Sequence, residues 1–174
     1  MRPLLSPRPS RGAACVPSSL GQAGNWELAD NEHRRLLCEL AGEEAEERKW
    51  VYFTEIAPIP VQDLQMLDKL WMTYSKGRYG FSVQKKIWKG VKCRWANFFK
   101  KIDWVQGENN AYRKWPEEFK WEESAAEGHL PLTNALRGTQ LFEAIMTHPA
   151  FDDSAQKAAI KKEQTEDNAP GSYL

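Results

Sequence analysis

The chain has 174 residues, of which 41% are hydrophobic and eight are tryptophan, and a chain this rich in aromatic residues is not natively disordered. Its 24 basic and 24 acidic residues cancel, but ten of the basic residues fall between Lys69 and Lys101, where no acid occurs. No apolar run approaches the roughly eighteen residues of a membrane span, and the three cysteines form no CxxC pair, so neither a membrane-spanning protein nor a disulfide framework or zinc site is expected.

The two ends of the chain differ in composition from its middle. Residues 1–24 contain Arg2, Arg8 and Arg11 with several serines and prolines but no acid, which favours an organelle transit segment over a secretory signal. A disordered tail without a targeting function is the alternative. Residues 152–174 are polar and charged and are expected to form a flexible tail. Residues 25–151 are therefore the predicted folded domain.

The first predicted helix begins after Asn25, a residue that commonly caps helices, and ends at Gly42. Its apolar face is expected to carry Trp26, Ala29, His33, Leu36, Leu37 and Leu40. The polar stretch "EEAEERKW", residues 43–50, indicates either a further helical turn or a solvated linker.

Three more helices follow from the spacing of apolar residues. One opens at Pro60 and carries Leu64, Leu67, Leu70, Trp71 and Tyr74 on one face, before the turn "SKGRYG" ends it. The next is expected to begin at Ser82 as its N-cap and is followed by a helix whose buried face is Trp95, Phe98, Phe99 and Ile102. A last helix is predicted from Asn134 to Met146. The sequence thus predicts an all-α fold, a single helical-bundle domain.

A long segment rich in aromatic residues, 105–129, separates the last helix from the others. It holds Tyr112, Trp115, Phe119 and Trp121 among polar residues, and Pro116 interrupts any helical stripe. Loops of this length are usually disordered or functional, and the number of rings argues against disorder. We therefore expect a functional loop before the last helix.

The residue types with catalytic potential form no recognisable motif. The three histidines are far apart in sequence, and no serine or cysteine lies in a nucleophile context, so neither an enzyme nor a metal site is expected. What remains is a basic region interleaved with aromatic residues. It would suit a nucleic acid, through phosphate contacts and base stacking, or a flat apolar molecule that carries carboxylates. The plain alternative is a solvated basic face over an ordinary tryptophan-rich core.

Several stretches resemble one family closely. "DLQMLDKLWMTYSKGRYGFSVQKKIW", residues 63–88, is similar to the signature of the genomes-uncoupled family of tetrapyrrole-binding proteins, which regulate magnesium chelatase in oxygenic phototrophs. "NWELAD", "AYRKWPEEFKWE" and "GHLPLTNALRGTQLFEAIMTHPAF" resemble further parts of that family, the last two its plastid branch in particular. The chain departs from the family at His33, where a threonine is usual, and ahead of "NWELAD", where the family's helix residues are reduced.

The resemblance implies a non-catalytic protein that binds protoporphyrin IX and Mg-protoporphyrin IX and activates magnesium chelatase in chlorophyll biosynthesis, with a role in plastid signalling. The implied partner is the large porphyrin-binding H subunit of the chelatase, and nucleic acid is not an expected partner. The implied location is the chloroplast stroma, with peripheral association with plastid membranes. A porphyrin sensor or scavenger that does not activate the chelatase is the alternative, and an RNA-binding module is a more distant one. The residues expected to contact the porphyrin are Tyr79, Phe81, Val83, Ile87, Trp88, Arg113, Trp115, Phe119 and Arg137.

Overall fold

A computed structural model describes residues 24–133 and 139–152 of the chain. Six α-helices lie in these ranges: α1 (Trp26–Ala41), α2 (Glu43–Arg48), α3 (Val61–Tyr74), α4 (Phe81–Gly90), α5 (Trp95–Lys101) and α6 (Gln140–Met146). Short 3₁₀ turns at Phe53–Glu55 and Pro149–Phe151 and one antiparallel hairpin, β1 (Val105–Gln106) and β2 (Ala111–Tyr112), complete the described elements. The predicted all-α fold class is confirmed, and the hairpin is an addition within the long loop.

Helix α1 begins and ends as its sequence predicts. The Asn25 side chain accepts a hydrogen bond from the Leu28 N–H at 3.1 Å, and the Gly42 N–H donates to the Cys38 carbonyl at 3.0 Å. Gly42 has a φ of 122°, a conformation in which glycine meets little steric cost. The apolar face of α1 packs on α3, where Trp26 and Trp71 stack with ring centroids 6.1 Å apart.

Helix α4 does not begin with Ser82 as its cap. Its N-cap is Gly80, two residues earlier, and the Ser82 N–H donates to Asp68 Oδ1 at 2.9 Å. Asp68 belongs to α3 and is buried, so the acceptor for the start of α4 comes from a neighbouring helix. A cap supplied from outside the helix leaves no local sequence pattern, and the prediction for Ser82 was therefore wrong.

The core is built mainly from aromatic rings. Trp95 of α5 stacks between Trp88 and Phe99, with centroid distances of 5.0 and 5.8 Å. Phe142 of α6 packs edge-on against Phe98, which lies on the predicted buried face of α5. Helix α6 also packs against the 3₁₀ turn at Phe53–Glu55. This packing brings the chain that follows α2 beside the last helix. None of the helices in the described residues has the length and apolarity to span a bilayer.

The described part of the predicted last helix is α6, which starts at Gln140. Residues 134–138, the first part of the predicted helix, lie outside the described residues. The predicted termini, 1–24 and 152–174, are outside them too except for Gly24 and Asp152, so the domain limits remain a prediction.

Candidate functional site

A cleft of about 600 Å³ lies between α1, the chain after α2, the β hairpin and α6. This volume falls within the range of about 300–1,000 Å³ that is usual for small-molecule sites. Seven aromatic residues line it: Trp50, Tyr52, Phe53, Trp104, Tyr112, Trp115 and Phe119. Three cations, Arg34, Lys49 and Arg113, also line the cleft, and no acid is among the lining residues that the structure describes.

The cleft holds most of the large apolar surface that the described residues leave exposed. Tyr52, Phe53, Tyr112 and Trp115 are 44%, 43%, 40% and 49% exposed, and all four line it. Contiguous exposed aromatic surface is unfavourable in water and usually marks a binding site. The exposed rings are therefore the strongest indication of where a ligand binds.

One wall of the cleft is held in place by Arg48 from the end of α2. Its guanidinium carbon lies 4.4 Å from the Tyr52 ring centroid and 5.3 Å from that of Trp50. Arg48 Nη2 donates to both oxygens of Glu55 at 2.7 Å, and Glu55 also accepts the Tyr52 N–H at 2.7 Å. Burial alone would raise the pKa of Glu55, but the hydrogen bonds from Arg48 and Tyr52 outweigh it and lower the pKa. Glu55 is therefore an anion that fixes the cation, which in turn supports both rings.

Another part of the cleft combines Arg34 of α1 with Trp115 of the loop. The Arg34 guanidinium carbon lies 4.9 Å from the Trp115 ring centroid. Asp30 holds Arg34 from behind, accepting hydrogen bonds from Nε at 3.0 Å and from Nη2 at 2.5 Å. Asp30 Oδ1 also accepts the Leu132 N–H at 2.7 Å, which ties the chain before α6 to α1. Arg34 is thus a cation anchored at the edge of the cleft.

Arg113 lines the cleft but uses its donors within the protein. Its side chain donates to the Asp103 carbonyl at 2.8 Å, to Asp103 Oδ1 at 2.6 Å and to Gln106 Oε1 at 3.0 Å, with a longer bond of 3.3 Å to the Glu118 carbonyl. Burial raises the pKa of Asp103, but hydrogen bonds from Arg113 and Lys120 prevail and lower it. Arg113 therefore fastens the hairpin to the loop that carries Trp115.

His129 closes the same loop and is a hydrogen-bonded turn residue. Its Nε2 accepts the Lys120 N–H at 3.2 Å, which leaves the proton on Nδ1 to be donated to the Ile102 carbonyl at 2.6 Å. Both ring nitrogens are occupied. Within residues 24–133 and 139–152 no three His, Cys, Asp or Glu side chains form a group suited to a metal ion.

The structure divides the predicted contact residues into two groups. Arg113, Trp115 and Phe119 meet at the cleft. The other described ones do not line it, because they pack in the core: Tyr79, Phe81, Val83 and Trp88 are buried, and Ile87 is half-buried against that core. Tyr79, for example, donates its hydroxyl to the Glu122 carbonyl at 2.6 Å, and Phe81 packs against Phe151. Arg137 lies outside the described residues, so its predicted contact stays a prediction.

Sequence reasoning missed the wall formed by "WVYF", residues 50–53, and the cations Arg34 and Lys49. Arg34 follows the buried face of α1 and resembles any solvated helix residue in sequence. The four-residue run does hold three aromatic residues after a strongly charged helix, and that composition could have indicated an exposed binding segment.

A family model described as GUN4-like matches residues 18–149, most of the chain. The chain belongs to the GUN4-like family. Among relatives, it is 44% identical over 158 residues to the "Tetrapyrrole-binding protein, chloroplastic" of Arabidopsis thaliana, a match that covers 80% of this chain and 60% of that protein. It is 42% identical over 127 residues to the "Ycf53-like protein" of Synechocystis, covering 73% of this chain and 54% of the relative. The chain thus spans little more than half the length of these relatives.

Two solved structures of GUN4-like proteins share the fold. GUN4 from Chlamydomonas reinhardtii is 50% identical with a TM-score of 0.72, and the match covers 80% of this chain and 93% of that one. The ligand-free structure of Arabidopsis thaliana GUN4 is 46% identical with a TM-score of 0.70, covering 80% and 97% of the two chains. The helical fold described above is therefore that of the GUN4-like family.

Proposed function

We propose that the cleft binds a porphyrin, protoporphyrin IX or Mg-protoporphyrin IX, and that the protein acts as a carrier without catalysing a reaction on it. The observation that carries this proposal is the lining of the cleft, seven aromatic residues with three cations and no acid among the described residues. A porphyrin has apolar faces and an edge with two carboxylates, so it matches both parts. The name of the Arabidopsis relative, a tetrapyrrole-binding protein, supports the same ligand class.

The aromatic walls would provide most of the affinity. Each 100 Å² of apolar surface removed from water contributes about 2.5 kcal/mol, and a macrocycle between Tyr52 and Trp115 would cover rings that are now nearly half exposed. The carboxylates would then be oriented by charge-assisted hydrogen bonds from Arg34 and Lys49, since Arg113 already uses its donors. In this division of roles Arg113 positions the loop.

We further propose that the protein delivers porphyrin to, or takes product from, the H subunit of magnesium chelatase and thereby activates the enzyme in the plastid stroma or at its membranes. Membership of the GUN4-like family and the chloroplastic relative support this proposal. Carriage between proteins requires a site from which cargo can leave, and the cleft is open at its aromatic edge. A role in plastid signalling rests on the same porphyrin binding.

Titration of the full chain with protoporphyrin IX tests the binding proposal. We expect a shift of the porphyrin absorption band and quenching of tryptophan fluorescence, since Trp50, Trp104 and Trp115 line the cleft. Tyr112→Ala should weaken binding, whereas Tyr74→Ala should not, because Tyr74 lies outside the cleft at nearly the same exposure, 41% against 40%. Equal effects of the two substitutions would mean that the ligand binds elsewhere.

Magnesium insertion by purified chelatase, measured with and without the protein, tests the second step. An increased rate that is lost in the Tyr112→Ala variant is the expected result. Porphyrin binding without any change in the rate would instead favour a sensor or scavenger. Binding of RNA with a steep salt dependence, without porphyrin binding, would favour the nucleic-acid alternative.

A further inference from the structure

A second concave surface lies between the end of α4 and helix α5. It is an open groove of about 570 Å³, and it shares no lining residue with the cleft among the residues described. Gly90, Val91 and Asn97 form part of it, and the remaining lining residues are four exposed cations: Lys92, Arg94, Lys100 and Lys101. We call this surface the basic groove.

The charge of the basic groove is not compensated within the described residues. None of its four cations forms an ion pair there, whereas Lys76, Lys85, Arg113 and Lys120 each have an acidic partner. No acid occurs from residue 69 to residue 102, so the chain offers no local counter-charge. Like charges held this close repel one another, and an anion in the groove would relieve that repulsion.

The scaffold under the basic groove is rigidly packed. The Cys93 N–H donates to the Trp88 carbonyl at 2.9 Å, and Trp88 stacks on Trp95 at 5.0 Å. Lys92 and Cys93 have positive φ angles of 57° and 55°, which turn the chain sharply between the two helices. The backbone that carries the cations is therefore held in place around the groove.

The lining of the groove restricts the type of anion. No aromatic residue lines it, and Trp95 stacks on Trp88 and Phe99 outside the groove lining, so the lining holds no platform on which bases of single-stranded RNA could stack. None of the exposed large hydrophobic residues lies in the groove, so it has nothing to insert into a bilayer. A flat bilayer would also leave the hollow unfilled.

We propose that the basic groove is a docking surface for an acidic polypeptide segment of a partner protein. Carboxylates at intervals along such a segment can reach several cations at once, and Asn97, which also lines the groove, offers an amide to the segment's backbone. Charge complementarity of this kind speeds association and selects the partner. Because this surface is separate from the cleft, the protein could hold a porphyrin and a partner together.

The test uses the full chain and a fluorescein-labelled peptide of alternating glutamate and glycine, followed by fluorescence anisotropy. Lys100→Glu should weaken peptide binding about tenfold, as expected for losing a close charge pair of about 1.4 kcal/mol. Lys76→Glu is the control, since it makes the same charge change in the turn before α4, whereas the basic groove lies at the end of α4. It should change binding by less than about twofold. Asn97→Trp fills the hollow without altering charge and should also weaken binding about tenfold if the peptide docks in the groove.

Three outcomes would overturn the proposal. Equal losses in the Lys100→Glu and Lys76→Glu variants would indicate an effect of net charge alone. Unchanged peptide affinity of the Asn97→Trp variant would indicate that the positive charge of the surface attracts the peptide without docking in the groove. Tighter binding to phosphatidylglycerol vesicles or to oligouridylate than to the peptide would assign the surface to a membrane or to RNA. Titration of the same variants with protoporphyrin IX shows that they are folded. If the wild-type chain does not bind porphyrin, the peptide measurements still test the basic groove, because they do not depend on the proposed function.

Discussion

Arg34 and Trp115, which are 81 residues apart in the sequence, meet at the edge of the cleft with the guanidinium carbon 4.9 Å from the ring centroid. Asp30 fixes the cation and Arg113 fixes the loop that carries the ring, so both partners are held in place. The pair therefore places a positive charge beside the most exposed aromatic ring of the cleft. A flat dicarboxylate needs that combination, an apolar face next to a cation.

Arg34→Gln should weaken the binding of protoporphyrin IX about tenfold, the value expected for losing one charge-assisted hydrogen bond. The dimethyl ester of the same porphyrin has no carboxylate, so its affinity should change much less. Arg35→Gln is the matched control, because Arg35 lies next in α1 but pairs with Glu32 and Glu39 on the exposed side. Measured by absorption titration, an equal loss for the acid and the ester would show that Arg34 does not meet the carboxylates.

Glu55→Gln should reduce porphyrin affinity about fivefold, or about 1 kcal/mol, by releasing Arg48 and the rings of Trp50 and Tyr52. Glu44→Gln changes the other acid near Arg48, which is 3.6 Å away and 88% exposed, and should have no effect. Because the folded pKa of Glu55 is lowered, its contribution is present above the ordinary carboxyl pKa and is lost as the pH falls through the folded value. Identical porphyrin affinities of the Glu55→Gln and Glu44→Gln variants would mean that Arg48 does not hold the two rings in place for binding.

Gly80→Ala should lower the free energy of unfolding by about 2 kcal/mol or more. Gly80 has a φ of 134°, and an added Cβ would lie 2.6 Å from Asp68 Oδ1, the oxygen that caps α4. Gly90→Ala, at the other end of the same helix, meets no atom within 4 Å and should be neutral or stabilising by up to about 1 kcal/mol. Denaturant unfolding of both variants measures the difference, and similar stabilities would remove the argument for a tight Asp68 cap.

His33 should make the fold sensitive to acid. Its Nδ1 accepts the Trp71 indole N–H at 3.0 Å, and burial, with a smaller effect of Arg34, lowers its pKa from 6.5 to about 3. The unfolded chain therefore binds a proton that the folded chain does not, so stability is full above pH 6.5 and falls as the pH drops toward 3.

The measurement for His33 is the pH dependence of the free energy of unfolding in the wild type and in His33→Gln. The wild type should lose about 1.4 kcal/mol more per pH unit over this range than the variant does. Comparing the slopes cancels the pH-independent loss of stability caused by the substitution and the titration of the carboxylates that both proteins share. Parallel curves would mean that His33 is protonated in the folded protein.

Local sequence determined where α1 and α3 begin and which side of α5 is buried, because these signals come from residues that are neighbours along the chain. Asn25 and Gly42 cap α1, and Pro60 precedes the first residue of α3, as each residue type predicts. The apolar spacing from Trp95 to Ile102 likewise indicated which side of α5 is buried.

Tertiary structure decided what those buried faces contact. Periodicity shows that Phe81 and Trp88 turn inward, but a ring that faces a ligand and a ring that faces another helix have the same spacing, and these two pack in the core. The cap of α4 by Asp68 and the pairing of Arg34 with Trp115 join residues from different elements. The cleft itself arises where α1, the chain after α2, the hairpin and α6 converge, and that convergence is a property of packing that no single stretch of the sequence encodes.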